Sequence, residues 1–212
     1  MITLDNTLKE QFELIHHRFE TIGEKRYKGI QLYFSPLHEA NILFIGINPG
    51  AGFFNYQKTN VKRLNPLKNF EYVGQEYYLA TQTKRLFYQL KLENDFVKAV
   101  KINHFPWATR NVVDLNYLLE KYDEALKLYY LSKEFVLTTI KQVKPRLIVC
   151  EGKSAFDRLK AMLDVTVIEY NHNTYVAQNK NLVVIGYKRH LSYISDKNEL
   201  KHKIITYYNN NL

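Results

Sequence analysis

Residues 41–50 read Asn-Ile-Leu-Phe-Ile-Gly-Ile-Asn-Pro-Gly. Four consecutive apolar side chains, Ile42 to Ile45, are too few for a helix and too apolar for a surface loop. The run predicts a buried strand that ends in a turn. A plain turn needs only Pro49 and Gly50, so Asn48 between the strand and the Pro-Gly pair asks for a further reason.

The rest of the chain alternates two patterns. Further strand-like runs occupy 29–34, 97–103, 145–150, 165–170, 174–178 and 182–187. Leu4, Leu8, Phe12, Ile15 and Phe19 recur at spacings of three and four, which predicts an amphipathic helix over 4–22 that ends at Gly23. Helical patterns also fit 76–92, 114–142 in one or two pieces, 153–163, and 196–208, where Asp196 and Glu199 have capping-box spacing. Strands alternating with helices predict a three-layer α/β/α sandwich around a central, mainly parallel sheet, and the length fits one domain over 1–212. The runs 174–178 and 182–187, joined through Asn179-Lys180-Asn181, read as a hairpin on one edge. Residues 50–75 show no periodicity and read as a long functional loop.

Composition narrows the function. Cys150 is the only cysteine, so no intrachain disulfide or thiolate metal cluster can form, which predicts a reducing, cytoplasmic setting without a metal or other cofactor. No stretch has the length and apolarity of a signal core or a membrane span. The net charge is +9, with the basic excess beyond residue 40, and such a surface fits a polyanion such as nucleic acid. A monomer is expected.

Ligands of open α/β sheets bind beyond the carboxyl ends of strands. Three such ends stand out: Gly46-Ile47-Asn48-Pro49-Gly50, the segment 102–111 containing Asn103, and the segment 186–195 containing His190. Singly they are a turn, a strand cap and a surface histidine. Gly152-Lys153-Ser154 looks like the end of a phosphate-binding loop, but that motif needs Gly where the chain has Leu147.

Taken together, the three ends resemble the uracil-DNA glycosylase superfamily. The likeness is to its single-strand-selective and mismatch-specific branches, whose first motif is Gly-x-Asn-Pro-Gly, and it spans about residues 40–205. The third motif departs from the family's His-Pro-Ser, reading His190-Leu191-Ser192. The resemblance implies a monofunctional glycosylase that releases uracil or a related damaged base from single- or double-stranded DNA. On that likeness Asn48 orients the attacking water within the Gly46, Ile47, Pro49, Gly50 turn. His190 donates to the base oxygen where charge develops, and Asn103 reads the base edge. The ring that stacks on the base would be Phe53, Phe54 or Phe70. Leu191, Tyr193 and Ile194 would fill the gap left by a flipped nucleotide, Ser192 would contact the DNA, and Lys188, Arg189, Lys62 and Arg63 would hold phosphates. Two other readings stay open: a nucleic-acid-binding protein of this fold with weak or no catalysis, and a hydrolase of another N-glycoside.

Overall fold

The computed structural model describes residues 6–50, 61–121, 125–190 and 192–208. In chain order the elements are α1 (Asn6–Thr21), β1 (Gly29–Gln31), β2 (Ile42–Gly46), β3 (Val61–Arg63), α2 (Glu71–Gly74), α3 (Tyr78–Gln89), α4 (Glu93–Val97), β4 (Val100–Asn103) and β5 (Trp107–Ala108). There follow α5 (Val112–Lys121), α6 (Ala125–Val143), β6 (Leu147–Cys150), α7 (Lys153–Lys160), β7 (Thr166–Tyr170), β8 (Thr174–Gln178), β9 (Val183–Tyr187), β10 (Arg189–His190), β11 (Tyr193–Ile194) and α8 (Lys197–Tyr207).

Six strands form the central sheet in the order β4-β2-β6-β9-β8-β7. The first four are mutually parallel, whereas β8 runs antiparallel to both neighbours. Every residue of β2, β4, β6 and β9 is buried, as expected of parallel strands covered on both faces. Side chains alternate between two cores. Leu43, Ile45, Ile102 and Ile148 pack with α1, α5, α6 and α7, while Ile42, Phe44, Val149 and Ile185 pack with α3, α4 and α8. The result is a mixed α/β fold with helices on both faces of a mostly parallel sheet. A second, three-stranded sheet, β3-β1-β5, is joined to the first through an isolated bridge from Tyr33 to Ile102.

Three expectations need correction. The strand expected at 97–103 starts at Val100, because Val97 ends the one-turn helix α4, whose Phe96 packs among Phe70, Phe87 and Tyr88. The β8–β9 hairpin forms, but β7 pairs with β8 and becomes the edge. The stretch read as one long loop contains β3 and α2 where it is described, with β3 held parallel to β1. The helix pattern over 114–142 resolves into α5 and α6. Asp196 caps α8 by accepting from Glu199 N at 2.9 Å, while the Glu199 carboxylate accepts from Thr174 Oγ1 instead of completing a box.

Candidate active site

The connections following β2 and β6 run over opposite faces of the sheet: α3 and α4 lie on one side, α7 on the other. These strands are neighbours, so the crevice beyond their carboxyl ends is the switch point where ligands of such sheets bind. Gly46 ends one strand, and Glu151 follows the other.

The first two sequence motifs are held together as one unit. Gly46 pairs with Asn103, and the ladder continues through His104 N to Gly46 O and Phe105 N to Ile47 O, both 2.9 Å. Thr109 N reaches Pro49 O at 3.4 Å, and Gly50 bridges Thr109. Asn48 adds a side-chain tie: its Nδ2 donates to Thr109 Oγ1 at 2.9 Å, Pro49 O at 3.2 Å and Trp107 O at 3.3 Å. The amide nitrogen is therefore committed to the protein, and among the described residues Oδ1 has no partner.

Asn103 has the opposite situation. It is 4% exposed, yet its amide makes no hydrogen bond among the described residues, and neither amide atom is sealed from solvent. Its oxygen lies over Gly46. An unpaired amide at the mouth of a crevice is a group available to a ligand.

Sequence reasoning missed what lies beneath it. Glu151 is 5% exposed, and its Oε2 faces the same Gly46 surface as Asn103. Tyr72 donates its hydroxyl to Glu151 Oε1. Lys101 Nζ sits 3.0 Å from Glu71 Oε2, 3.5 Å from Glu151 Oε2 and 3.7 Å from the centre of the Tyr72 ring. Burial first, and the Glu151 charge second, raise the Tyr72 and Tyr187 hydroxyls well above the usual phenol range. Among the described residues the Tyr187 hydroxyl, at the end of the next strand, β9, is buried without a partner. Two signals in the sequence pointed here: a lysine inside the apolar run Val100–Ile102, and an acid immediately after Cys150, a fourth strand end.

His190 lies three residues past the end of β9, a strand two positions from β2 and so about 10 Å from it across the sheet. Its side chain is exposed and has no partner among the described residues. It belongs to the small hairpin β10–β11, in which Arg189 faces Ile194 and His190 faces Tyr193. Ser195 N to Lys188 O at 3.0 Å closes that hairpin, and Gln82 Nε2 donates to Ser192 O at 3.3 Å. Lys188 Nζ lies 3.0 Å from His172 Nε2.

Several expected roles do not fit. Phe70 is 2% exposed and packs between Phe44, Tyr72 and Phe96, so its ring is core and not a free stacking surface. Ile194 is 4% exposed in the same core and cannot enter a DNA stack. Tyr193, in contrast, is exposed and rests on Tyr78 with centroids 4.3 Å apart, which leaves its expected role open. Lys62 and Arg63 lie on β3, away from the β2 and β6 strand ends, with Lys62 in an exposed ion pair with Glu13, and their expected phosphate contacts stay open. Phe53, Phe54 and Leu191 lie outside the described residues. Two open cavities lie elsewhere, one of about 930 Å³ along α2 and α3 and one of about 590 Å³ between Arg146, the β8–β9 turn and Tyr207.

Among the described residues no group of three or more His, Cys, Asp or Glu side chains could hold a metal ion, and no helix is long and apolar enough to cross a membrane. No model of a known protein family matches the chain, and no curated protein matches it significantly.

Proposed function

We propose that the protein is a monofunctional DNA glycosylase with a uracil-DNA glycosylase-like α/β/α fold, hydrolysing the N-glycosidic bond of uracil or a related damaged base. The observation that carries the reading is the complementary state of two amides on one rigid unit. Asn48 is tied down through its nitrogen and keeps its oxygen unengaged, while Asn103 is nearly buried with its whole amide unengaged.

Those two states match two tasks. A fixed carbonyl oxygen orients a water by accepting its hydrogen bond, and the water oxygen attacks the sugar carbon as the bond to the base breaks; its surplus proton passes to solvent, since an amide cannot take it, and solvent reprotonates the departed base. The electron pair of that bond leaves with the base, so charge develops on the base oxygens. His190, reaching in from the β10–β11 hairpin, would donate to that oxygen, a contribution of about 3 kcal/mol by the scale of lost oxyanion donors. Asn103, offering both a donor and an acceptor, would pair with the edge of a flipped base.

A second reading has an observation of its own. Nothing among the described residues holds the His190 ring, and Leu191 stands where the related motif has proline. This favours a nucleic-acid-binding protein with weak or no catalysis. One assay separates the two. Oligonucleotides carrying uracil, hypoxanthine or xanthine are incubated with the protein, abasic sites are cleaved with alkali, and strand scission is compared. Scission supports the glycosylase; binding without scission on all three supports the second reading.

A further inference from the structure

Helix α3 has a buried face of Leu79, Ala80, Gln82, Thr83, Leu86 and Phe87. The opposite face is built differently from an ordinary solvated one. Tyr78, Thr81, Arg85 and Tyr88 follow one another at spacings of three, four and three, and Lys84 lies three after Thr81 and four before Tyr88, so the five form one stripe. Tyr78 and Tyr88 are 47% and 40% exposed, and no acid lies on the stripe. Lys84 Nζ stands 5.7 Å from the Tyr88 ring centre, and neither Lys84 nor Arg85 has a carboxylate partner among the described residues. Thr81, Lys84, Arg85 and Tyr88 line the open cavity of about 930 Å³ between α2 and α3, where Glu76 is the single acid, and Tyr78 lies beyond its rim.

At its upper end the stripe meets the proposed site. Tyr78 rests on Tyr193, and Gln82 holds Ser192, so α3 and the hairpin bearing His190 are one continuous surface. From Tyr78 to Tyr88 is ten residues, about 15 Å of helix. That matches about four nucleotides at the 3.4 Å per-strand charge spacing of stacked DNA.

We propose that this stripe is a binding groove for the unpaired nucleotides flanking the target, so that the protein engages single-stranded nucleic acid. The inference rests on the glycosylase reading only in naming the target; the groove itself is argued from its own residues. Exposed rings give a duplex nothing, because paired bases hide their faces, whereas each unpaired base presents a π-face to stack on. Unpaired cations between the rings supply the phosphate contacts, and an Arg or Lys beside a ring does both.

The test measures binding of a uracil-free labelled strand of 25 nucleotides, single or annealed to its complement, across a salt series, and in parallel base release from uracil strands of five and 25 nucleotides. Wild type is expected to bind the single strand more tightly. Lys84→Ala/Arg85→Ala should lower the salt slope by about 1.4, at about 0.7 per phosphate contact on a single strand. Tyr88→Ala should weaken single-strand binding at least fivefold and duplex binding less than twofold, with Tyr88→Trp restoring the loss. Where bases are released, the double variant should raise KM more on the 25-nucleotide strand than on the five-nucleotide strand, whose central uracil leaves two nucleotides on either side to reach the groove. Absence of base release with the binding pattern intact removes the glycosylase reading and leaves the groove. No binding by wild type, an unchanged salt slope, or equal losses on single strand and duplex overturns the groove.

Discussion

A Cβ atom built on Gly46 would sit 2.1 Å from Oδ1 of Asn103, closer than real Cβ contacts come. The two residues are register partners on β2 and β4, so the absence of a side chain on one strand is what lets the amide of the other occupy the crevice. Gly46→Ala should therefore push the Asn103 amide aside, cut base release at least tenfold and cost about 1 to 3 kcal/mol of stability, the usual penalty for overpacking. Adding Asn103→Ala should return part of that stability and produce no further loss of activity. A double variant whose losses simply add, in urea unfolding and in kcat/KM, would mean the two side chains are not coupled.

The ties to Asn48 explain why an amide stands there and not a carboxylate. Its Nδ2 donates to two carbonyl oxygens and one hydroxyl, and an aspartate would turn two of those donor contacts into oxygen facing oxygen. Although a carboxylate is the stronger base toward a water, Asn48→Asp is expected to be destabilised by about 1 to 3 kcal/mol for the acceptors left unpaired. Base release should fall rather than rise. Faster release at unchanged thermal stability would show that the Asn48 amide is not anchored through its nitrogen.

Lys101 lies between two carboxylates, and only it offsets their charge within the cluster. Removing the cation leaves the buried Glu151 and the half-buried Glu71 without the charge they share. Lys101→Met should accordingly cost about 3 to 5 kcal/mol, the range for breaking a buried pair from one side. Glu151→Gln keeps the Lys101–Glu71 pair and an acceptor for Tyr72, so it should cost far less. The reverse order in denaturant unfolding would contradict this arrangement.

How far the sequence reaches is clear from particular segments. Ile42–Ile45, Leu147–Cys150 and Val183–Tyr187 are legible because a strand buried on both faces needs an unbroken apolar run, and their flanking helices carry a clear period. Val97 misleads because a one-turn helix leaves no period to detect, and its last apolar residue merges with the next strand. Phe70 is aromatic, as a stacking ring must be, yet nothing local distinguishes a ring that fills a core from one that faces a ligand. Asn48, Asn103 and His190 were visible as types at strand ends. Glu151 became visible only with strand order, because its meeting with Asn103 depends on β6 lying beside β2. The three-residue β3 and the two-residue β10 and β11 are too short to carry any pattern of their own.

His104, next to Asn103 on the other face of β4, supplies a test of burial by pH. Its Nε2 lies 2.9 Å from Ala155 O and its Nδ1 is buried without a partner. The ring is therefore neutral, with the proton on Nε2 donated to Ala155. Burial pushes its pKa down to about 4, against an opposing pull from that carbonyl and a smaller push from Arg158. The unfolded chain binds this proton near the ordinary value of about 6.5. Below that value the unfolded state takes up the proton and the folded state does not. The stability His104 contributes is thus complete above about pH 6.5 and is lost as pH falls toward 4, up to about 3 kcal/mol. His16, whose pKa burial also lowers, adds a loss of the same sign, so the wild-type profile alone would not isolate His104. His104→Gln keeps a nitrogen donor for Ala155 and cannot titrate. Between pH 7 and pH 4 the wild type should lose about 3 kcal/mol more than this variant in urea unfolding. Parallel profiles would mean that the folded protein can protonate His104 where it stands, and that the strand end carrying Asn103 is open on its other face as well.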